Sequence, residues 1–415
     1  MSLVSYRENG ALGVESLPLE TVAREYGTPC WVYSRAALET AYREFEQACA
    51  GHDTLICYAV KANSNLAILN LFARLGAGFD IVSGGELARV LAAGGAAHKT
   101  VFSGVGKTEA EMREALVAGI LCFNVESEPE LERLSRVATG IGLTAHVSLR
   151  VNPDIDAKTH PYIATGLSEN KFGVGYDEAL PLYRKAVLLP GVRVVGIDVH
   201  IGSQITQIEP FIAALEKVLE FADALDATGI RLEHLDLGGG LGIRYRDEKA
   251  PTVSDYLACL FSALGERRVK LLFEPGRALV GNAGLLLTRI EYLKRGAVKN
   301  FAVVDAAMND LLRPALYQAW HDIVPVRRRA IEAIDWDVVG PVCESADFLG
   351  LDRRLAVEQG DLLALLSAGA YGMSMSSNYN SRPRPAEVIV DGAAVHLVRP
   401  RESIESLFAS ERLLP

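Results

Sequence analysis

The sequence lacks the cysteine patterns that mark a metal site or a disulfide scaffold. The six cysteines are scattered, with no CxxC pair and no Cys/His ligand spacing; they are Cys30, Cys49, Cys57, Cys122, Cys259 and Cys343. A chain of 415 residues needs no disulfides to hold a core, so this usage indicates a reducing, cytoplasmic compartment and predicts no metal centre.

The chain is also short of positive charge and of long apolar runs. Lys and Arg number 42 against 52 Asp and Glu, which gives a net charge of −10 and argues against a nucleic-acid binder. The start, MSLVSYRENG, has no basic residues leading into an apolar core, so no signal peptide is expected. The charge-free stretch between Asp361 and Arg382 is rich in Ser, Asn, Gly and Tyr, so no membrane span is expected either.

What the sequence does contain, between residues 50 and 280, is a repeated alternation of short apolar runs and amphipathic segments. The runs cover 55–60, 79–82, 100–103, 121–125, 145–151, 194–200, 232–237 and 269–273. Helical spacing lies between them, for example at 84–93, 109–118, 128–138 and 210–228. This alternation predicts parallel βα units. Eight units in about 230 residues favour a TIM barrel, with a doubly wound open sheet as the alternative that periodicity leaves open.

After residue 280 the pattern changes to strands joined by turns. Strands are predicted at 285–293, 301–304, 336–339, 361–366, 387–390 and 395–398, with a turn at Asp391-Gly392. We therefore divide the chain into a barrel at 31–280 and a mainly antiparallel β-domain at 281–415. Residues 1–30, with a strand at 12–17 and a helix at 19–26, are expected to pack with the β-domain.

Two of the predicted barrel strands end in residues that can carry chemistry. Lys61 directly follows the first strand, where a lysine either reaches out of the barrel mouth to water or forms a Schiff base. His200 and Ser203 follow the sixth strand, and an isolated histidine there can equally be a structural residue. Since chemistry in a barrel lies at the carboxyl ends of the strands, both positions are candidates.

The last two predicted strands end in an anion cradle and a carboxylate. Three glycines, 238–240, follow the seventh strand and let backbone N–H groups approach an anion, although a tight turn would use them too. Glu274, Gly276 and Arg277 follow the eighth strand in FEPGRAL. An amine, phosphate donors and a partner for a ring nitrogen are the groups that hold pyridoxal phosphate.

The segments AVKAN, HIGSQ, GGGLGI and EPGR, in this order, resemble the fold-type III pyridoxal phosphate decarboxylases, which join an alanine-racemase-like barrel to a β-domain. HPYIATGLSENKFG (160–173), LLRPALY (311–317), GPVCESADFLG (340–350) and GAYGMSMSSNYNSRPRP (369–385) are similar to the diaminopimelate decarboxylases within that group. The resemblance covers roughly residues 5–410. It implies the decarboxylation of meso-diaminopimelate to L-lysine and CO2.

The resemblance also assigns the cofactor contacts. It implies that Lys61 forms the Schiff base with the cofactor and that Glu274 contacts the pyridine nitrogen. His200 is expected against the ring face and Asp80 near the cofactor. The phosphate contacts that it implies are Ser203, Gly239, Gly240, Gly276 and Arg277, with Tyr371 near both phosphate and substrate.

For the reaction itself, the resemblance implies that Cys343 is the proton donor, since a free thiol is mostly protonated at neutral pH. The other five cysteines are interpreted as inert buried residues. Substrate contacts are expected from Arg277, Arg313 and Tyr317 at the distal carboxylate and from Glu344 at the distal amine. A loop at 168–173 is expected to close over this end of the substrate.

In the family, Cys343 and Glu344 come from the partner subunit, so the resemblance implies a homodimer with shared active sites. Three alternatives share the fold: an ornithine or arginine decarboxylase, an amino-acid racemase, and a non-catalytic homologue that binds the cofactor only. An ornithine or arginine decarboxylase needs no arginine for a distal carboxylate, a racemase lacks the CES segment, and a non-catalytic homologue is expected to lose Lys61 or Cys343. The sequence contains Arg313, the CES segment, Lys61 and Cys343, which argues against all three alternatives.

Overall fold

The structure is a computed structural model that describes residues 3–156 and 171–415. It divides into two compact units. The β-unit comprises Met1–Thr40, Arg244–Asp247 and Leu279–Pro415, and the barrel unit comprises Ala41–Ile243 and Glu248–Ala278. Among the described residues, no helix combines the length and the apolar character that crossing a membrane requires.

The chain begins with short strands and two helices: β1 (Val4–Tyr6), β2 (Leu12–Val14), β3 (Leu17–Pro18), α1 (Leu19–Tyr26), β4 (Cys30–Ser34) and α2 (Arg35–Ala48). The predicted helix at 19–26 is confirmed as α1. The predicted strand at 12–17 is two strands, because Glu15 turns the chain with a φ of 50°. Strands β1, β2 and β3 then pair antiparallel in that order.

The barrel unit contains eight parallel strands that close on themselves. They are β5 (Thr54–Ala59), β6 (Gly78–Ile81), β7 (Thr100–Phe102), β8 (Cys122–Val125), β9 (Ala145–Asn152), β11 (Val192–Asp198), β12 (His234–Asp236) and β13 (Lys270–Phe273), while β10 (Val174–Gly175) is a short addition beside β9. The last barrel strand pairs with the first, Leu272 opposite Leu55, which completes the ring. The predicted barrel is therefore confirmed, and the open-sheet alternative is wrong.

Helices follow the barrel strands: α3 (Leu66–Arg74), α4 (Gly84–Ala92), α5 (Glu109–Ala118), α6 (Glu128–Gly140), α7 (Tyr176–Ala186), α8 (Glu209–Asp226) and α9 (Val253–Leu264). Five of them begin at a polar side chain that accepts a backbone N–H of the first turn; these are Asn65, Ser83, Thr108, Ser127 and Thr252. Such caps satisfy donors that the helix cannot satisfy itself. These caps fix the first residue of each of the five helices and therefore the length of the loop that joins it to the preceding strand.

The β-unit continues after α10 (Arg277–Val280) with β14 (Gly284–Arg295), β15 (Asn300–Val304), α11 (Arg313–Tyr317), β16 (Ile323–Pro325), β17 (Ile334–Val339), β18 (Phe348–Leu355), β19 (Leu362–Leu365), β20 (Ala386–Asp391) and β21 (Ala394–Arg399). Their sheet has the order β18-β17-β15-β14-β4-β20-β21, with β19 pairing both β14 and β16. Its pairs are antiparallel except β15 with β17 and β20 with β4. The predicted mainly antiparallel β-domain is confirmed.

The core of the β-unit joins residues from both ends of the chain. Val14 and Val22 from the N-terminal segment are wholly buried in one apolar cluster with Leu285 and Val388. Burial of aliphatic side chains contributes about 1.5–3 kcal/mol each. The segment from Leu12 to Val32 thus contributes to the hydrophobic core of this unit.

Candidate active site

The predicted cofactor residues of the barrel unit lie at the carboxyl ends of its strands. Lys61 lies in the short 3₁₀ turn Val60–Ala62 directly after β5. Its Nζ lies 2.6 Å from Oδ2 of Asp80 in β6, which is the neighbouring strand. The Asp80 side chain is wholly buried, whereas that of Lys61 is 35% exposed. The strand ends therefore hold a reachable amine against a buried carboxylate, which offsets the cost of burying either charge.

His200 follows β11 and is joined to the glycine segment after β12. The Nδ1 atom of His200 accepts the backbone N–H of Gly239 at 3.2 Å. Burial lowers the pKa of His200 well below its ordinary value, and the charges of Arg150 and Lys61 lower it further. The imidazole is therefore neutral at neutral pH, and its Nδ1 is held in the acceptor state.

The glycine segment leaves no room for side chains. A Cβ at Gly239 would lie 2.3 Å from the carbonyl oxygen of Glu274, and a Cβ at Gly240 would lie 2.6 Å from that of Gly202. The carbonyl of Gly240 in turn accepts the N–H of Ile205 at 2.9 Å. Glycine is thus required here by close backbone approach, which is the arrangement of an anion cradle.

Glu274 directly follows β13 and is one of three buried carboxyl groups at the strand ends. One carboxyl oxygen of Glu274, one of Asp198 and one of Asp236 all lie within 4.8 Å of one another. Burial raises the pKa of Glu274 well above its ordinary value, and the charges of Asp236, Asp80 and Asp198 raise it further. The side chains of Asn124 and Ser103 each donate a hydrogen bond to Oε1 of Glu274 at 3.4 Å. Burial and the neighbouring carboxyl groups thus favour the protonated form of Glu274, and a cation beside it would favour the ionised form.

Ser203, Gly276 and Arg277 lie near the same strand ends. The Nη2 atom of Arg277 donates to Oγ of Ser203 at 3.0 Å, which brings together residues that follow β11 and β13. Gly276 is buried, and its neighbour Pro275 accepts the N–H of Ala59. Nine predicted site residues thus occupy one end of the barrel.

The sequence analysis missed Arg150, which lies in β9 with only 6% of its surface exposed. Its guanidinium lies 3.4 Å from Oε1 of Glu126, 4.0 Å from Oδ2 of Asp198 and 3.5 Å from the carbonyl oxygen of His200. The signal was present, because an arginine inside the apolar run 145–151 is costly to bury without partners. The same reasoning applies to Asp198 and Asp236, which also lie within predicted strands.

In the β-unit, Arg313 begins α11 and Tyr317 ends it. The guanidinium carbon of Arg313 lies 5.3 Å from the ring centre of Tyr245 and 5.8 Å from that of Tyr317. Arg313 is 6% exposed. The two rings hold a buried cation in one orientation by cation–π attraction, which suits a fork that recognises a carboxylate.

Cys343 and Glu344 lie in the loop between β17 and β18. The N–H of Cys343 donates to Oδ1 of Asn380 at 3.1 Å, and the hydroxyl of Tyr379 donates to Oε1 of Glu344. Both residues are exposed, and Cys343 is the one exposed cysteine of the six. Cys259 is partly exposed and the other four are buried, as expected for inert residues.

Two further predictions concern loops. Tyr371, between β19 and β20, is half-buried and adopts a φ of 55°. Residues 168–170 of the predicted loop at 168–173 lie outside the described part of the chain. At its described end, the N–H of Gly173 donates to Oε2 of Glu126 at 3.1 Å.

Comparisons with a family model and with individual proteins agree on one family. The model of the pyridoxal-dependent decarboxylase, pyridoxal binding domain, matches residues 35–281. The chain is 59% identical to a diaminopimelate decarboxylase of Vibrio cholerae over 416 aligned residues, with 100% of each chain covered.

Solved structures agree with this result. One neighbour is a diaminopimelate decarboxylase from M. jannaschii in complex with L-lysine, with a TM-score of 0.95, 39% identity, and 99% of this chain and 98% of that chain covered. Another is a diaminopimelate decarboxylase from Helicobacter pylori complexed with L-lysine. It has a TM-score of 0.92, 44% identity, and 95% and 99% coverage.

Proposed function

We propose residue roles for a chain that belongs to the diaminopimelate decarboxylases, a family of pyridoxal-dependent decarboxylases. The protein removes one carboxylate of meso-diaminopimelate as CO2 and releases L-lysine, the last step of lysine biosynthesis, with pyridoxal phosphate as cofactor. The single observation that carries this function is the Lys61–Asp80 pair, 2.6 Å apart at the mouth of a closed barrel, in a chain 59% identical to such an enzyme.

The residues at the barrel mouth fit the cofactor on three counts. The close backbone approach at Gly239 and Gly240 leaves no side chain between this segment and a phosphate. The carboxyl groups of Asp198, Asp236 and Glu274 lie close together with Arg150 beside Asp198, and a protonated pyridine nitrogen at Glu274 would add a second positive charge to this cluster. The buried Oδ1 of Asp80 accepts no hydrogen bond from the described residues.

The phosphate is held, in this proposal, by the ends of three neighbouring strands. Gly240 would contribute its backbone N–H and Ser203 its hydroxyl, while Gly276 and Arg277 would contribute the start of α10. Gly239 would line the phosphate with its backbone, since its N–H already donates to His200. The 3.0 Å hydrogen bond from Arg277 to Ser203 supports this grouping. Several donors that converge on one anion hold it in a fixed orientation.

Pyridoxal phosphate supplies an electron sink for the charge left on the substrate carbon when CO2 departs. Lys61 would hold the cofactor aldehyde through its ε-amine until the substrate amine takes its place, and Asp80, 2.6 Å from that ε-amine, would keep Lys61 in position. Glu274 would lie at the pyridine nitrogen and favour its protonated form. The neutral imidazole of His200, fixed by the N–H of Gly239, would face the ring and add no charge there.

We propose that Arg313, Arg277 and Tyr317 bind the distal carboxylate of the substrate, that Glu344 binds its distal amine, and that Tyr371 lies near the phosphate and substrate. The buried, ring-held guanidinium of Arg313 supports the first role. Lysine and ornithine lack a distal carboxylate and would forgo the contact to this arginine, which lowers the stabilisation of their transition states. Specificity for diaminopimelate follows from that difference.

We propose further that Cys343 protonates the substrate carbon after CO2 leaves, and that it acts in the site of a second copy of the chain. The thiol gives its proton to the carbon and recovers one from solvent, so one proton enters for each CO2 released. The exposure of Cys343 and Glu344 on their loop supports a role in the site of a partner. Six free cysteines support a cytoplasmic site of action.

The reaction is tested by stripping the protein of cofactor and measuring CO2 and lysine from meso-diaminopimelate before and after pyridoxal phosphate is added back. We expect no turnover without the cofactor, and with it equal amounts of CO2 and lysine. Turnover without added cofactor, or CO2 without lysine, would contradict the function.

The shared site is tested by mixing two inactive variants, Lys61→Ala and Cys343→Ala, under conditions that exchange subunits. In a dimer with shared sites, half of the randomly assorted dimers contain one intact site, so about a quarter of the parent activity should return. Matched mixtures of each variant with itself serve as controls. No recovery, with exchange verified by mass spectrometry, would place Lys61 and Cys343 in the site of one chain.

A further inference from the structure

The loop that carries Cys343 is built around one buried carboxylate. We call residues 340–347 the Cys343 loop. Asp347 ends this loop and is only 4% exposed. Its Oδ2 atom accepts the N–H of Val342 at 2.7 Å, and its Oδ1 atom accepts the N–H of Met308 at 2.7 Å. One side chain thus ties the residue before Cys343 to the segment that follows β15.

Backbone hydrogen bonds close the same loop. The N–H of Gly340 donates to the carbonyl of Asp347 at 3.2 Å, and the N–H of Asp347 donates to that of Glu344 at 3.0 Å. The N–H of Glu344 donates to the carbonyl of Val342 at 2.8 Å. The peptide on either side of Cys343 is therefore bonded, and its direction depends on where the Asp347 carboxylate lies.

Gly340 shows how closely this carboxylate is packed. A Cβ at Gly340 would lie 2.5 Å from Oδ2 of Asp347 and 2.6 Å from Cα of Ala307. Any side chain at position 340 would therefore push the carboxylate off the N–H of Val342. The loop needs glycine at one end so that an aspartate at the other end can reach its backbone.

We propose that Asp347 is a positioning residue for Cys343. Its carboxylate accepts hydrogen bonds from the N–H groups of Val342 and Met308 and so fixes the position and direction of the Cys343 thiol. Asp347 itself does not touch the substrate in this role. Hydrogen bonds to an ionised acceptor are roughly twice as strong as neutral ones, and a misplacement of 1 Å at a reacting group costs about 100-fold in rate. The inference rests on the proposed role of Cys343 as proton donor.

The test is the isosteric variant Asp347→Asn in the cofactor-loaded protein. An amide has one acceptor oxygen, so one of the two N–H groups loses its partner and faces an NH2 group. We expect kcat for lysine formation to fall about 10- to 100-fold. KM for diaminopimelate and cofactor content, read from the visible absorbance, should stay within about twofold, since neither depends on the thiol.

The matched control is Asp337→Asn in the same unit. Asp337 is also 4% exposed; its Oδ1 atom accepts the N–H of Asp352 at 2.9 Å, and its Oδ2 atom accepts a hydrogen bond from Nζ of Lys299 at 2.7 Å. It has no proposed role in the reaction, so this variant measures what the loss of a buried carboxylate costs in general. Its kcat should equal that of the parent, and its melting temperature should fall by an amount similar to that of Asp347→Asn.

The double variant with Cys343→Ala separates positioning from a general structural role. If Asp347 acts through Cys343, Asp347→Asn should lower kcat no further once the thiol is gone. An equal fold-loss in both backgrounds, or an unchanged kcat in Asp347→Asn, would overturn the positioning role alone. A parent-like kcat in Cys343→Ala would overturn both this role and the proposed function of Cys343.

Gly340→Ala provides a second variant if Asp347→Asn does not fold. It moves the carboxylate without removing it, and the same selective loss of kcat is expected. An unchanged kcat in folded Gly340→Ala would overturn the positioning role.

Discussion

Gly239→Ala tests the phosphate cradle with a single methyl group. The new Cβ would lie 2.3 Å from the carbonyl oxygen of Glu274, where real contacts of this kind stay above 3.0 Å. One of the two strand ends must therefore retreat by at least about 0.7 Å. That movement displaces the N–H of Gly239 from Nδ1 of His200 and changes the position of Glu274, so both proposed contacts to the cofactor are disturbed.

Overpacking of this kind costs about 1–3 kcal/mol. If the cost falls on the bound state, the Kd for pyridoxal phosphate rises by roughly 5- to 150-fold. The assay is a titration of the cofactor-free protein with pyridoxal phosphate, followed by visible absorbance. The melting temperature of the cofactor-free protein is measured alongside it.

The control is Gly140→Ala in α6 of the same unit, where the added methyl group meets nothing within 4 Å. That variant should bind the cofactor as the parent does. Parent-like affinity in Gly239→Ala would refute the requirement for close backbone approach, and with it the phosphate cradle.

Three further changes test other parts of the site. Lys61→Ala should abolish the visible absorbance of the bound cofactor and its trapping by borohydride; a retained, trappable band would exclude Lys61 as the covalent anchor. Arg313→Ala should raise KM for diaminopimelate by roughly 10- to 150-fold, since it removes a charged hydrogen-bond partner, while ornithine turnover stays unchanged; equal losses on both substrates would contradict the role of Arg313. Burial raises the pKa of Asp236 to about 6. Between about pH 4 and pH 6, Asp236 is protonated in the folded protein but ionised in the unfolded chain, where its pKa is near 4. The free energy of unfolding therefore falls as the pH rises from about 4 to 6 and stays lower above pH 6. Asp236→Asn should therefore stabilise the cofactor-free protein by about 1–3 kcal/mol at pH 8 and not at pH 4. The measurement is urea unfolding at both pH values, and an equal gain at both would refute the raised pKa.

The barrel was predictable because each of its strands is a short apolar run between turn or helix signals. All eight predicted runs overlap an observed strand, from Thr54–Ala59 to Lys270–Phe273. Fully buried parallel strands produce such runs, since both faces are covered by other elements. Closure of the ring required the structure, because strand order is not visible in periodicity.

The strands that were missed in the β-unit lack that signal. The strand Phe348–Leu355, FLGLDRRL, mixes apolar and charged residues, and its Arg353 is buried although its sequence neighbours are exposed. Cys30–Ser34 was assigned to no strand, since its five buried residues follow a helix at the end of the predicted N-terminal segment. Its partners in the sheet are residues 284–287 and 386–390, which are more than 250 positions away.

The candidate site shows the same division. Residues that directly follow a strand, such as Lys61 and Glu274, were found from their position in the sequence. Arg150 was overlooked, although its place inside an apolar run signals a buried charge whose partner, Asp198, lies in another strand. Asp347 was not found because its partners are backbone N–H groups, which carry no sequence signature.

The substrate choice is tested most directly by CO2 release from meso-diaminopimelate, L-lysine, L-ornithine and L-arginine, compared at equal concentrations with pyridoxal phosphate present. Because the last three lack a distal carboxylate for Arg313 to bind, kcat/KM for diaminopimelate should exceed each of theirs by about 10⁴-fold or more. Comparable rates on lysine or ornithine would contradict the proposed recognition of the distal carboxylate by Arg313. They would favour a diamine-forming decarboxylase with the same fold.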